Sequence, residues 1–242
     1  MAGLILAVSG CWRAAVTPPV EAPAIEVPFT VPWGEAPPPP RAPAVVFLHG
    51  RGSEARSFVA EAEPVLGPAG YVVIGIQGTL PVDGGLFRWS EDLDADAAHV
   101  ERALAHAGSQ IGTELEPRLL LGFSQGGHLA AALIAKGELR FDGAIVMSPG
   151  WRSDDTALPT RRRVQARRAI VYVGAGDQPE RIQLAREDAR ALQDVGVEVE
   201  LTVDEELRVH GFPDDMAERV LVWLAQVAGR APLGGTPASE AP

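Results

Sequence analysis

The chain has 242 residues, 46% hydrophobic and 22% charged, which suits one globular domain with tails and is long enough to bury a full core without disulfide or metal support. Its formal charge of −11 argues against sequence-independent nucleic-acid binding, which needs a basic surface. A single cysteine excludes an intramolecular disulfide and a CxxC site, no apolar run approaches 18 residues, and the five histidines form no HxxxH pair of the kind a zinc hydrolase uses.

Residues 1–11 are apolar and end Val8-Ser9-Gly10-Cys11. This resembles the end of a bacterial lipoprotein signal, in which small residues precede a cysteine that is lipidated after cleavage. It departs from that pattern in lacking a Lys or Arg before a run that is itself short. The resemblance implies a lipid-anchored protein of the bacterial cell envelope, attached through Cys11; a cytoplasmic protein is the alternative. Residues 17–43 hold ten of the 21 prolines. Such a stretch favours extended polyproline geometry, so residues 12–43 are assigned as a semi-rigid linker, with 25–30 able to form one edge strand. The domain proper is placed at 44–230, and residues 231–242, with Gly234-Gly235 and three prolines, as a disordered tail.

Within the domain, apolar runs at 44–48, 71–76, 118–121, 144–147, 169–173 and 197–203 predict strands. Continuous rather than alternating hydrophobicity marks strands covered on both faces. Helical patterns lie between them at about 53–66, 91–107, 125–136, 179–195 and 213–228, with Pro179 and Pro213 placed in first turns. The acidic run Glu91, Asp92, Asp94 and Asp96 follows Ser90, which predicts a helix start capped by Ser90 rather than a metal site. Strands alternating with helices of this length imply an α/β fold built on a mostly parallel central sheet, with helices on both faces and no large lid domain.

The chemistry gathers at one strand-to-helix junction, Gly122-Phe123-Ser124-Gln125-Gly126-Gly127. This is G-x-S-x-G between a buried strand and a helix, a turn so tight that the positions two either side of Ser124 must lack bulk. A serine needs a base, and in this arrangement the partners follow in the order serine, acid, histidine. His210 lies at a suitable distance beyond the last strand, whereas His128 falls inside the helix after Ser124 and reads as packing or surface. Asp177, in Gly174-Ala175-Gly176-Asp177 after a strand, is the favoured acid; Asp204 is the runner-up, ahead of Asp142, Asp154 and Asp155. Oxyanion donors are assigned to the backbone amides of Gln125 and Arg51, the latter in Leu48-His49-Gly50-Arg51-Gly52-Ser53, where His49 reads as a loop-ordering residue.

Taken together, Leu48-His49-Gly50-Arg51-Gly52, Phe87-Arg88-Trp89, the Gly122-Phe123-Ser124-Gln125-Gly126-Gly127 elbow, Met147-Ser148-Pro149-Gly150, Asp177 and His210 resemble the phospholipase/carboxylesterase family of small α/β-hydrolases, the relatives of acyl-protein thioesterases, over residues 42–228. Two departures are Val209, where the family has glycine before the histidine, and Gln178-Pro179, where it has Val-Pro after the acid. The resemblance implies a serine esterase using Ser124, Asp177 and His210, no cofactor or metal, and a small-molecule or lipid ester substrate, in a monomer or homodimer. Alternatives are a feruloyl, acetyl-polysaccharide or polyester hydrolase with the same triad, or a catalytically inactive surface binding module. The arginines at 152, 161, 162, 163, 167 and 168 form a basic island that reads first as a solvated loop.

Overall fold

A computed structural model describes residues 27–90, 92–150 and 164–229. Its centre is a seven-stranded sheet in the order β1-β3-β2-β6-β7-β8-β9. The strands are β1 (Phe29–Thr30), β2 (Arg41–Leu48), β3 (Val72–Ile76), β6 (Glu114–Phe123), β7 (Gly143–Met147), β8 (Arg168–Gly174) and β9 (Glu198–Asp204), with a separate ribbon of β4 (Leu80–Pro81) and β5 (Phe87–Arg88). All pairings in the large sheet are parallel except that of β1 with β3.

Side chains alternate across the sheet and build two cores. Ala44, Val46 and Leu48 of β2 point to one face, where α2 (Leu93–Ile111), α3 (Gln125–Lys136) and α4 (Pro179–Asp194) pack. Val45 and Phe47 point to the other, against α1 (Ala55–Leu66) and α5 (Met216–Val227). Burial on both faces explains the continuous apolar runs, because neither side of these strands meets water. The sequence 197–203 is the exception. Its strand β9 is an edge, and Glu198 and Glu200 are exposed on it, charges that discourage pairing with another chain.

Three boundaries differ from expectation. The proline-rich stretch is docked from Val27 onward: Val27 is buried, Phe29 and Thr30 pair with Ile74 and Val73, and Pro28 accepts the Gly75 N–H. Prolines are tolerated there because β1 is a sheet edge with little ladder to interrupt. The folded body therefore begins well before residue 44. Helix α2 is capped by Asp92 rather than Ser90: its carboxylate accepts the N–H groups of Asp94 and Ala95, both at 3.0 Å, while the Ser90 hydroxyl accepts the Asp92 N–H. A carboxylate adds charge to the capping hydrogen bond at the positive end of the dipole. Helix α5 starts at Met216, and Pro213 precedes it, accepting the Met216 N–H.

The chain steps from β2 to β3 on one side and then returns to β6 on the other, so the strand order reverses between β2 and β6. In open α/β sheets the crevice outside the strand ends at such a reversal is where ligands bind.

Candidate active site

Ser124 stands at that crevice, between the end of β6 and the start of α3. Its backbone has φ 54° and ψ −119°, a region that costs a non-glycine residue on the order of 1–3 kcal/mol. The surroundings hold it there. Its N–H donates to Met147, and its carbonyl accepts from Gly127, His128 and Gly150. The flanking glycines are sterically required. A Cβ on Gly122 would lie 2.1 Å from the Gly126 carbonyl oxygen, and one on Gly126 the same distance from that of Leu48. Gly150 is drawn in equally: a Cβ there would sit 2.9 Å from Ser124 Oγ.

Two strand-end loops bring the partners. His210 Nε2 lies 3.0 Å from Ser124 Oγ, and His210 Nδ1 lies 2.8 Å from Asp177 Oδ2. The carboxylate accepts Nδ1–H, which leaves Nε2 with a lone pair facing the serine hydroxyl. Asp177 is buried; its other oxygen accepts the Gln178 N–H at 2.8 Å and lies 3.6 Å from Arg181. The acid and histidine loops touch through Gly176, where a Cβ would fall 2.3 Å from Arg208 Cα, and the Gly176 N–H donates to Leu207. Phe123 stacks on the imidazole, centroids 4.9 Å apart.

The rival acid is committed elsewhere. Asp204 accepts the Tyr172 hydroxyl at 2.6 Å, Arg219 Nη1 at 3.0 Å and the Glu206 N–H at 2.9 Å. The Tyr172 hydrogen bond, first among these, holds its carboxyl below the usual range. Asp204 anchors the start of the histidine loop without touching His210's ring partners. Asp142 accepts the Arg118 N–H on the lower edge of the sheet, and His128 donates to the buried Asp188 of α4 at 3.0 Å.

The loop after β2 closes the other side. His49 is fully buried; its Nε2 accepts the Gly78 N–H at 2.8 Å and contacts Gln77 Nε2, so its Nδ1–H donates to the Gly50 carbonyl at 2.7 Å. Burial pushes its pKa down, which keeps this neutral tautomer. Gln77 also accepts the first N–H of α1, from Ala55. Gly50 packs on the serine, a Cβ there meeting Ser124 Cβ at 3.1 Å. Beyond it, Gly52 and Ser53 donate their N–H groups to Phe87, whereas that of Arg51 goes to no backbone carbonyl among the described residues. The Gln125 N–H, in the first turn of α3, has no intrahelical acceptor by construction.

Sequence reasoning missed the device that orients Gln125. Its side-chain oxygen accepts the Trp89 N–H at 2.9 Å, its amide donates to the Trp89 carbonyl at 3.1 Å, and the buried indole donates to the His49 carbonyl at 2.8 Å. One tryptophan thus ties both amide-bearing loops together. Phe87-Arg88-Trp89 was the visible signal, but a motif does not say which atoms meet. Cys11, Asp154, Asp155 and the arginines at 152 and 161–163 lie outside the described residues. Arg168 is a strand residue paired with Glu198 rather than part of a loop.

Residues 45–242 match the model of the alpha/beta hydrolase family. No curated protein matches the chain. Among solved structures, the chain is similar to the Bacillus cereus carboxylesterase (18% identity, TM-score 0.66, 84% of this chain and 94% of that one). It is similar also to a Mesorhizobium loti carboxylesterase (21%, TM-score 0.59, 76% and 88%) and to a phospholipase/carboxylesterase from Dyadobacter fermentans (22%, TM-score 0.60, 81% and 94%).

Proposed function

The chain belongs to the alpha/beta hydrolase family, and from that premise we propose that it is a serine carboxylesterase acting on carboxylic esters or thioesters through an acyl-enzyme. The observation that carries this reading is the unbroken Ser124–His210–Asp177 hydrogen-bond relay at the reversal of the sheet.

Ser124 Oγ attacks the ester carbonyl while His210 Nε2 takes its proton. Asp177 keeps Nδ1 protonated and offsets the charge of the imidazolium that forms. The N–H groups of Gln125 and Arg51 receive the developing oxyanion, the first aimed by the Trp89 clamp and the second by the His49-ordered loop. His210 then gives the proton to the leaving alcohol or thiol. In the second half a water attacks the acyl-enzyme, with the same histidine as base. Preorganised donors cost no rearrangement at the moment of reaction, which is why the Trp89 and His49 contacts matter to rate as well as to fold.

The test is a fluorophosphonate probe together with p-nitrophenyl esters. Labelling confined to Ser124, and hydrolysis abolished in Ser124→Ala, are the expected results; undiminished hydrolysis in that variant sinks the mechanism. We further propose that Cys11 carries the lipid anchor its Val8-Ser9-Gly10 context resembles. In a bacterial host the chain with its native upstream codons is then recovered with membranes, and Cys11→Ser is released or left unprocessed.

A further inference from the structure

An apolar groove of about 220 Å³ runs between α1 and α5, walled by Phe47, Phe58, Val65, Phe212, Met216 and Val220. It serves no contact described so far. A row of rings connects it to the proposed site. Phe123, stacked on His210, lies 4.4 Å from Phe212, which lies 6.4 Å from Phe58, itself 6.0 Å from Phe47. The histidine loop also exposes apolar surface that a folded chain normally hides: Val209 is 60% and Phe212 38% exposed, on either side of His210. Among the described residues that line it, Glu61 alone is charged, so a polar group entering the groove's floor would lose water without gaining a partner.

We propose that this groove binds the hydrocarbon chain of the ester's leaving alcohol. The proposal rests on Ser124 and His210 acting as described above. The leaving oxygen must lie within reach of His210 Nε2, which protonates it, and the near wall of the groove is Phe212, two residues along the same loop. The carbonyl oxygen is drawn to the amides of Gln125 and Arg51. At roughly 30 Å³ per water-sized group, the volume holds about seven such groups, or an unbranched chain of about six to eight carbons.

The test compares two ester series on the full chain. In one, acetates carry alcohols from methyl to decyl; in the other, methyl esters carry acyl chains of the same lengths. kcat/KM is expected to rise about two- to fourfold per methylene along the alcohol series up to about eight carbons, and to stay nearly level along the acyl series. Ala62→Phe and Ala217→Phe fill the groove from opposite walls, one on α1 and one on α5. Each lowers turnover of octyl acetate at least about tenfold, and leaves methyl acetate, the rate of fluorophosphonate labelling and the melting temperature unchanged. Equal loss on methyl and octyl acetate, or a chain-length response confined to the acyl series, overturns the proposal. Failure of the wild-type serine to label overturns the esterase reading and the groove's occupant with it.

Discussion

Among the described residues, two histidine–aspartate pairs sit close to Ser124, and one of them faces it. His210 and Asp177 come from loops at the carboxyl ends of the strands, 2.8 Å apart, with the second ring nitrogen of His210 turned to the serine. His128 and Asp188 come from the first turn of α3 and the middle of α4, 3.0 Å apart and buried. By sequence the second histidine is far nearer, four residues from Ser124 against eighty-six. Yet that ring is held by Asp188 across the packing of α3 on α4, so it is not turned to the serine. Loops at strand ends have no such constraint. Their side chains converge over the sheet edge, where the strained serine already stands, whereas a pair locked between helices can only hold those helices together.

The comparison breaks most sharply at the serine. Ser124→Ala should lower kcat by about 10⁴- to 10⁶-fold with the fold intact, read by ester turnover and circular dichroism. Asp177→Asn follows, with a loss of about 10⁴-fold in kcat and little change in melting temperature, because the amide would favour the wrong tautomer of His210. If Asp204→Asn is the more damaging change for kcat, the assignment of the acid fails.

The helix pair should give the opposite pattern. Asp188→Ala leaves the buried His128 Nδ1–H without this acceptor, a loss of about 2–3 kcal/mol, while kcat/KM stays within about twofold of wild type. Denaturant melts and initial rates on the same preparation separate the two. A thousandfold loss of activity without destabilisation would mean that the pair serves the chemistry.

A third buried carboxylate, Asp96 of α2, calibrates what burial does with a weaker partner. It is 1% exposed and faces Ser90; burial, the largest cause, raises its pKa to about 6, against opposing hydrogen bonds from Ser90. Its folded-state pKa is thus above its unfolded value near 3.8. The folded state holds the extra proton between those limits, so stability falls as pH rises through them. Asp96→Asn should remove that fall, with a gain on the order of 1–2 kcal/mol at pH 7 and none at pH 3.5, measured by thermal melts across the range.

Much of this architecture was legible in residue order. The apolar runs located six of the seven strands of the large sheet to within a few residues, and the bulk restriction around Ser124 reads directly from Gly122 and Gly126. Edges read less well. β9 reads as a covered strand, since its valines and leucine mask the exposed glutamates between them. Residues 12–43 read as linker on their prolines; the edge strand that 25–30 allows forms at Phe29–Thr30, whereas the docking of Val27 and the start of β2 at Arg41 do not show in the local pattern. The Ser90 cap failed for a related reason: Ser90 and Asp92 are both good caps, and only the path of the chain after Trp89 decides between them.

Periodicity and steric crowding act over a few residues, so the residues alone determined the α/β alternation, the elbow and the short roster of candidate acids and bases. Which of those candidates meet is a matter of strand order. Asp177 and His210 are thirty-three residues apart along the chain and reach each other because β8 and β9 are neighbours with their carboxyl ends level. The same adjacency carries Asp204 toward Tyr172 and Arg219 and so removes it from the site. The Trp89 clamp on Gln125 and the groove between α1 and α5 likewise exist only once distant segments have packed, since neither is a property of any one stretch of chain.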